Sequence, residues 1–424
     1  MRLQQHRVST VLVFTLVFLL STSASTFAAQ PTVKITLWHH WAPELIGEVI
    51  AGFQLRYPWI EVEHITSDYS KAVDRMAVLL ATGAAPEVMM VNSAYAYQFM
   101  SLGSFLLLDD LLTRDNIQLS MFNPGDLRGF QVRDKTYGLP CMSGSAWTNL
   151  MFYNKDLMNN VGLDADRPPR TWSEWQTAAR RIMRVDGSGK VIQGSQIPRL
   201  SNIAAWNGSQ FWDEQWRTAT VSNPRTMEAI TFTSELISST YGSLTAHDQF
   251  HRGGLSFWEG TSGIIFPNNS GFGAAQKVEF SWGAALAPVN EENPDSRPIN
   301  IVTSTWAYGI PATIAKDKQE AAWLLLLWLT THEDGGGYFA RAQGRPSPVI
   351  RFNGHPDYRK NPYWNVVIDA LQYDMPTPPV DPVTIINDAG MQILNNKVHP
   401  QQALATADQK LQFALDEYWK VLDR

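Results

Sequence analysis

The stretch from Val33 to Val91 constrains the fold of this chain more than any other. Val33, Ile35 and Leu37 alternate with polar residues in VKITLW, the period-two pattern of a strand. Pro43 stands where a first helical turn would begin, and Ile46, Val49, Ile50 and Phe53 follow at helical spacing. YPWIEVEHI reads as a second strand, SKAVDRMAVLLATG as a helix ending near Gly83, and PEVMMV as a short buried strand. Strand, helix, strand, helix, strand in that order predicts a parallel sheet with helices packed on its faces, hence an α/β fold. Ligands of such sheets meet the loops at the carboxyl ends of the strands. Here those loops are LWHHWA, SDYS and NSAYAY.

At 424 residues the chain exceeds one ordinary core, so two domains are expected. A net charge of -6 without a long Lys/Arg run argues against nucleic acid as a partner. The first residues have the composition of a secretory leader, expected to span 1–29: Arg2, His6 and Arg7, then VSTVLVFTLVFLL, then the small residues of STSASTFAA. Cleavage is expected between Ser25 and Gln30, after Ala28. With Cys141 the single cysteine, no internal disulfide is possible and no thiol lies at the cleavage region to carry a lipid. The mature chain is therefore expected free in a periplasm or outside the cell.

Further along, KTYGLPCMSGSAWTNLMFYNKDLM reads as a strand running into a second lobe. Thr171 and Glu174 in PPRTWSEW form a capping-box pattern that opens a helix. TSGIIFPNNSGFG is a strand ending in a glycine-rich loop, and KQEAAWLLLLWLTT a strongly apolar buried helix. Leu404, Leu411, Leu415, Tyr418 and Leu422 space a final amphipathic helix.

The order of these segments resembles the family 1 extracellular solute-binding proteins that serve carbohydrate ABC importers. ITLWHHW, FQLRYPWIEVE, LLATGAAPEVMMV, GSFLLLDDLL, KTYGLP, LMFYNKDLM, VGLDADRPPRTWSEW, FWEGTSGIIFPNNSG, EAAWLLLLWLTTHE and AQGRPSPV carry the resemblance across nearly the whole mature chain. Trp-His after the first strand, AAWNG at 204–208 and PNNSG after IIF are similar to the subgroup that takes up glycerol-3-phosphate and related compounds. Thr303 and Ser304 replace that family's paired glycines, Arg345 stands where relatives carry an aromatic residue, and MPTPPVDPVTIIN lacks their phosphate-binding arginine. These departures favour a glycoside, with or without an anionic group, over a glycerophosphate. The resemblance implies a two-lobed periplasmic-binding-protein fold of type II, with a ligand cleft between lobes that close about hinge strands. One lobe is expected at 30–141 plus 283–311, the other at 142–282 plus 312–424. The implied partners are the sugar ligand and the permease subunits of an importer, with the protein itself a monomer.

The candidate site follows from sugar chemistry: C–H faces pack on aromatic rings, and hydroxyl rims need planar or forked hydrogen-bond partners among apolar walls. In LWHHW, neighbouring residues point to opposite sides. One Trp–His pair drawn from Trp38, His39, His40 and Trp41 is expected to line the cleft while the other packs beneath it, with His39 or His40 donating to a ligand hydroxyl. Asp68 and Tyr69 offer an acceptor and a donor, and Asn92 and Ser93 open the third loop. Ser143 and Ser145 lie beside the first lobe crossing. AWNGSQFW supplies Trp206 as a stacking platform, with Asn207, Gln210 and Trp212. PNNSG supplies Asn269, Ser270 and Gly271, and TSTWAYG supplies Thr303, Ser304 and Trp306. The Arg345 guanidinium can hold a carboxylate, sulfonate or phosphate in bidentate fashion, neutral hydroxyls, or an acidic residue at the lobe interface.

Nine scattered histidines do not make a metal site, so neither metal nor cofactor is expected. A secreted glycosidase or lyase is the rival class; it needs two carboxylates across the cleft, for which Glu44, Asp68 and Glu259 are available. No GxSxG elbow or phosphate-cradling loop is present, and Cys141 has no context that would activate a thiol. A periplasmic sensor subunit would bind in the same way and dock on a receptor instead. The expectation is a carrier that performs no chemistry.

Overall fold

The computed structural model describes residues 31–251, 255–301, 305–375, 380 and 382–423. The expected leader and the candidates Thr303 and Ser304 lie outside the described residues.

Two five-stranded sheets organise the chain. In the first, Val33–His39 lies between Ile60–Thr66 and Val88–Asn92, all three parallel. Trp306–Gly309 then runs antiparallel to Val88–Asn92, with Leu139–Met142 antiparallel at the far edge. One face of this sheet, through Ile35 and Leu37, packs on the helices Pro43–Arg56 and Lys316–Thr331. Its other face, through Trp38, Met89 and Val91, packs on Met76 of Ala72–Thr82 and on Ala96 and Met100 of Ser93–Met100. Each large apolar side chain buried in this way contributes roughly 1.5–3 kcal/mol relative to leaving it in water. The helix Ala72–Thr82 stops at Gly83, whose φ of 69° is the left-handed cap that glycine reaches without a Cβ clash.

The second sheet has the order Trp282–Leu286, Leu150–Asn154, Ser262–Ile265, Val191–Ser195 and Arg184–Val185. Trp172–Ile182, Pro224–Tyr241, Pro382–Leu394 and Pro400–Leu422 cover one face, and Phe257, Phe272, Tyr358 and Trp364 the other. The capping box is formed as the sequence predicts: the Glu174 amide donates to Thr171 Oγ1 at 3.3 Å, and the Thr171 amide to Glu174 Oε2 at 3.2 Å.

Two of the expected lobe boundaries shift. Residues 283–286 were expected in the first lobe, yet Trp282–Leu286 pairs along its whole length with Leu150–Asn154 in the second sheet. Residues beyond 311 were expected in the second lobe, yet Lys316–Thr331 buries Ala322, Leu325, Leu326 and Leu329 against the first sheet. That helix is apolar on most of its circumference because the sheet lies on one side of it and Pro43–Arg56 and Phe339 on the other. The chain therefore changes lobe at 143–149, between Ile301 and Thr305, and a third time after Val349. Asn300 and Asn149 tie these passages together. Asn300 Oδ1 accepts from the Trp147 and Thr148 amides at 3.2 and 3.0 Å, and Asn149 Nδ2 donates to the carbonyls of Pro298 and Ala370 at 2.9 and 3.0 Å.

Candidate functional site

The carboxyl ends of the three parallel strands converge with the first residue of Trp306–Gly309. Trp38 and His39 are both 0% exposed, whereas His40 and Trp41 are half-buried. Trp41 turns toward Trp306, with ring centroids 6.2 Å apart, and toward Phe339 at 5.1 Å. His40 lies edge-on between Trp38 at 5.0 Å and Trp306 at 5.1 Å, its Nδ1 3.1 Å from the Ser67 carbonyl. Since a carbonyl can only accept, Nδ1 carries the proton.

His39 supports this turn from below. The Trp41 amide donates to its Nδ1 at 3.1 Å, so Nε2 carries the proton and donates to His64 Nδ1, also at 3.1 Å. Burial, then the neighbouring His64 and His40, lower the His39 pKa to about 4, and burial lowers that of His40. Both rings are neutral at pH 7. His39 is spent on holding the loop and the His40 Nδ1 proton on the Ser67 carbonyl, so neither ring keeps a proton for the expected hydrogen bond to a ligand hydroxyl.

Arg345 completes the cluster. Its Nη1 lies 2.9 Å from Met142 Sδ, and Met142 pairs with Trp306 across the sheet edge. Burial lowers the Arg345 pKa and no carboxylate offsets it among the described residues, so the guanidinium remains a charge without an anionic partner. His40, Trp41, Trp306 and Arg345 thus stand together at the edge of the first lobe.

Other expected residues have structural duties. Asn92 Oδ1 accepts from the Ala94 amide at 2.9 Å as the N-cap of Ser93–Met100, and Ser93 Oγ accepts from the Thr305 amide at 3.0 Å. This helix, like Pro43–Arg56, aims its N-terminus at the same edge, where the partial positive charge favours oxygen ligands. Asp68 is exposed, and its Oδ1 accepts from the amide and hydroxyl of Ser70, both at 2.9 Å, which hold its carboxyl below the usual range. Tyr69 opens the turn Tyr69–Lys71. Ser143 and Ser145 are buried in the first crossing, where Ser143 Oγ accepts from the Ser145 amide at 3.0 Å and Ser145 Oγ donates to Asp374.

In the second lobe the expectation fails for AWNG. Trp206 is 0% exposed and packs in the core beside Phe266, at 5.3 Å between centroids, so it offers no face for stacking. Asn207, also 0% exposed, is a four-way tie. Its Nδ2 donates to the Arg225 carbonyl and Glu228 Oε2, both at 2.9 Å, and its Oδ1 accepts from Asn290 at 2.9 Å and Asn293 at 3.2 Å. Gln210 is exposed, and Trp212 borders a cavity of about 1260 Å³ with Trp216, Arg225 and Met375. Asn269 Nδ2 donates to the Ser145 carbonyl at 3.0 Å, which anchors the PNNSG loop to the first crossing. Ser270 Oγ donates to Asn268 Oδ1. Gly271 lies against Pro267, where a Cβ would come within 2.8 Å of the proline ring, so its small size serves the loop itself.

Phe266 was missed by the sequence reading. It is half-buried at the carboxyl end of Ser262–Ile265 and packs on Trp206 and Trp175, with its amide donating to Gln196 Oε1 at 2.9 Å. The signal lay in IIFP, where an aromatic residue ends an otherwise aliphatic strand.

The profile of the family described as "Bacterial extracellular solute-binding protein" matches residues 41–336. In sequence the chain is similar to the sn-glycerol-3-phosphate-binding periplasmic protein UgpB of Escherichia coli strain K12. The two are 21% identical over 409 residues, covering 89% of this chain and 92% of the relative. In structure it is similar to the ABC substrate-binding protein Lmo0181 from Listeria monocytogenes in complex with cycloalternan, at a TM-score of 0.72 and 20% identity over 91% of this chain and 99% of that one. The sugar-binding protein MalE from Xanthomonas citri superposes with a TM-score of 0.75 at 16% identity, over 92% of this chain and 100% of MalE. These likenesses establish the two-lobed fold. With the family profile spanning most of its length, the chain belongs to the bacterial extracellular solute-binding proteins.

Proposed function

We propose that this protein captures a sugar or glycoside between its lobes and delivers it to the permease subunits of an ABC importer. It acts as a periplasmic monomer released from a leader at 1–29. The observation that carries the reading is the cluster of His40, Trp41, Trp306 and Arg345 at the lobe boundary. It combines aromatic faces, a neutral imidazole and a forked donor, which are the groups a polyhydroxylated ring requires. UgpB, MalE and Lmo0181 carry names that assign them ligands of related chemistry, which supports the same class here. In this reading the chain is a carrier that returns its ligand unaltered.

The unpartnered guanidinium favours a second reading, in which the ligand is a glycoside bearing a carboxylate, sulfonate or phosphate. A thermal-shift screen pairing neutral mono- and oligosaccharides with uronic, sulfonated and phosphorylated analogues tests both. A ligand at about a thousand times its dissociation constant stabilises the native state by roughly 4 kcal/mol. Stabilisation by a saccharide recovered intact is the expected result, and a saccharide consumed during the assay overturns the carrier reading. Arg345→Met is expected to weaken an anionic ligand far more than a neutral one; equal losses reject the anion role.

A further inference from the structure

The two lobes also touch where no chain crossing joins them. On the first-lobe side stand Tyr97 of the helix Ser93–Met100 and Arg128 at the end of the short helix Pro124–Arg128. On the second-lobe side stand Trp216, which packs against that lobe's core, and Tyr418 near the end of the helix Pro400–Leu422. The Tyr97 hydroxyl donates to the Tyr418 carbonyl at 3.0 Å, and the two rings lie 4.7 Å apart between centroids. The Arg128 guanidinium carbon lies 5.0 Å from the centre of the Trp216 ring, a cation over an aromatic face.

Both halves of this contact are held in place from behind. Trp216 has a φ of 57°, a left-handed backbone that a bulky residue adopts only when its surroundings impose it. Its amide donates to the Asp213 carbonyl at 3.0 Å, and its carbonyl accepts from Trp419 Nε1 at 2.7 Å. The next residue, Arg217, lies over the Trp419 ring at 3.7 Å, pairs with Asp423 at 3.1 Å, and offers its carbonyl to Gln412 Nε2 at 2.8 Å. The 213–217 turn and the end of the C-terminal helix are thereby one unit. Across from it, Arg133 and Asp134 take φ of 50° and 59° in the two-residue turn between Gln131–Val132 and Lys135–Thr136. Asp134 Oδ1 accepts from Arg128 Nη1 at 3.2 Å and so steadies the guanidinium.

We propose that Tyr97, Arg128, Trp216 and Tyr418 form a strap that fastens the end of the C-terminal helix to the first lobe, a noncovalent tie between the lobes beside the three chain crossings. Its halves belong to different lobes, so rotation of one lobe against the other about an axis outside the strap has to break it. The strain at Trp216 has a use in this arrangement: it sets the indole against Arg128 of the other lobe. One hydrogen bond and one cation–ring contact together bias an equilibrium by roughly tenfold or more.

The strap follows from the two-lobed fold and not from the identity of the ligand, so the ligand-free full chain tests it. Tyr97→Phe combined with Arg128→Ala alters first-lobe side chains only, and hydrogen exchange reads the result in the second lobe. Amides at 213–217 and 416–420 are expected to exchange about tenfold faster than in the wild type, while those of Pro224–Tyr241 in the same lobe keep their rates. Unchanged rates at 213–217 and 416–420 overturn the proposal, and so does an equal rise throughout the second lobe. Should the double variant fail to fold, Arg128→Ala alone, which changes an exposed side chain, carries the same test at 213–217. The hold on the lobes is read separately. Tyr97→Asp sets an anion against the Tyr418 carbonyl in place of a donor, and small-angle scattering is expected to give a larger radius of gyration than for the wild type. An equal radius overturns the tie between the lobes.

Discussion

Replacing Asn207 by Ala separates a structural tie from a ligand contact. The side chain makes four hydrogen bonds at 2.9–3.2 Å that join the end of the helix Leu200–Trp206 to Arg225, Glu228 and the 290–293 loop. At about 1 kcal/mol net per bond, and with the Asn290 amide left without its acceptor while Asn293 keeps the Asn207 backbone carbonyl, Asn207→Ala is expected to cost about 3–5 kcal/mol. With a urea slope of about 1–3 kcal/mol per molar or somewhat more for a chain of this size, the unfolding midpoint should fall by about 1–2 M. Tryptophan fluorescence reads it, since Trp206 precedes the mutated residue. Asn207→Asp should be worse than Ala at neutral pH, because it sets a carboxylate against Glu228 Oε2 in place of a donor, and should recover as pH falls and the new acid is neutralised. Full stability in Asn207→Ala together with lost saccharide binding would refute this reasoning and return Asn207 to the ligand.

Trp206→Ala should destabilise the second lobe by about 3–5 kcal/mol, because it empties a fully buried site, and denaturant titration checks this. Trp41→Ala should leave the unfolding free energy within about 1–2 kcal/mol of wild type while weakening saccharide affinity at least tenfold by calorimetry, as expected of a half-buried aromatic anchor. His39 has a folded pKa lowered to about 4, so its contribution is whole above its ordinary value of 6.5 and is lost as pH falls from there toward 4. The stability gap between wild type and His39→Asn should therefore shrink over that window. Measuring the gap, rather than the wild type alone, removes the trends of the other titratable groups.

Backbone features were the most legible part of this chain. The alternation VKITLW, the helical spacing from Ile46 to Phe53, the glycine stop at 83 and the Thr171–Glu174 box depend on local sequence, and each appears in the structure. Lobe membership was less legible. A hydrophobic helix such as Lys316–Thr331 carries no mark of which sheet it covers, and Trp282–Leu286 joins whichever edge its partner strand presents. Within the candidate site, tryptophan and asparagine serve cores and clefts alike. Trp41 and Trp206 have the same chemistry, and only the tertiary course of the chain leaves one half-exposed and seals the other. Asn207 was likewise drawn to the site by its neighbours in AWNG, while its bonds are made to residues far along the chain.

Hydrogen exchange with and without a stabilising saccharide tests the central claim most directly. A ligand held between the lobes is expected to protect amides on both sides at once: 40–42 and 93–95 in the first lobe, 266–271 in the second, and the crossing at 143–149. Protection confined to one lobe, or centred away from Trp41, Trp306 and Arg345, would contradict it.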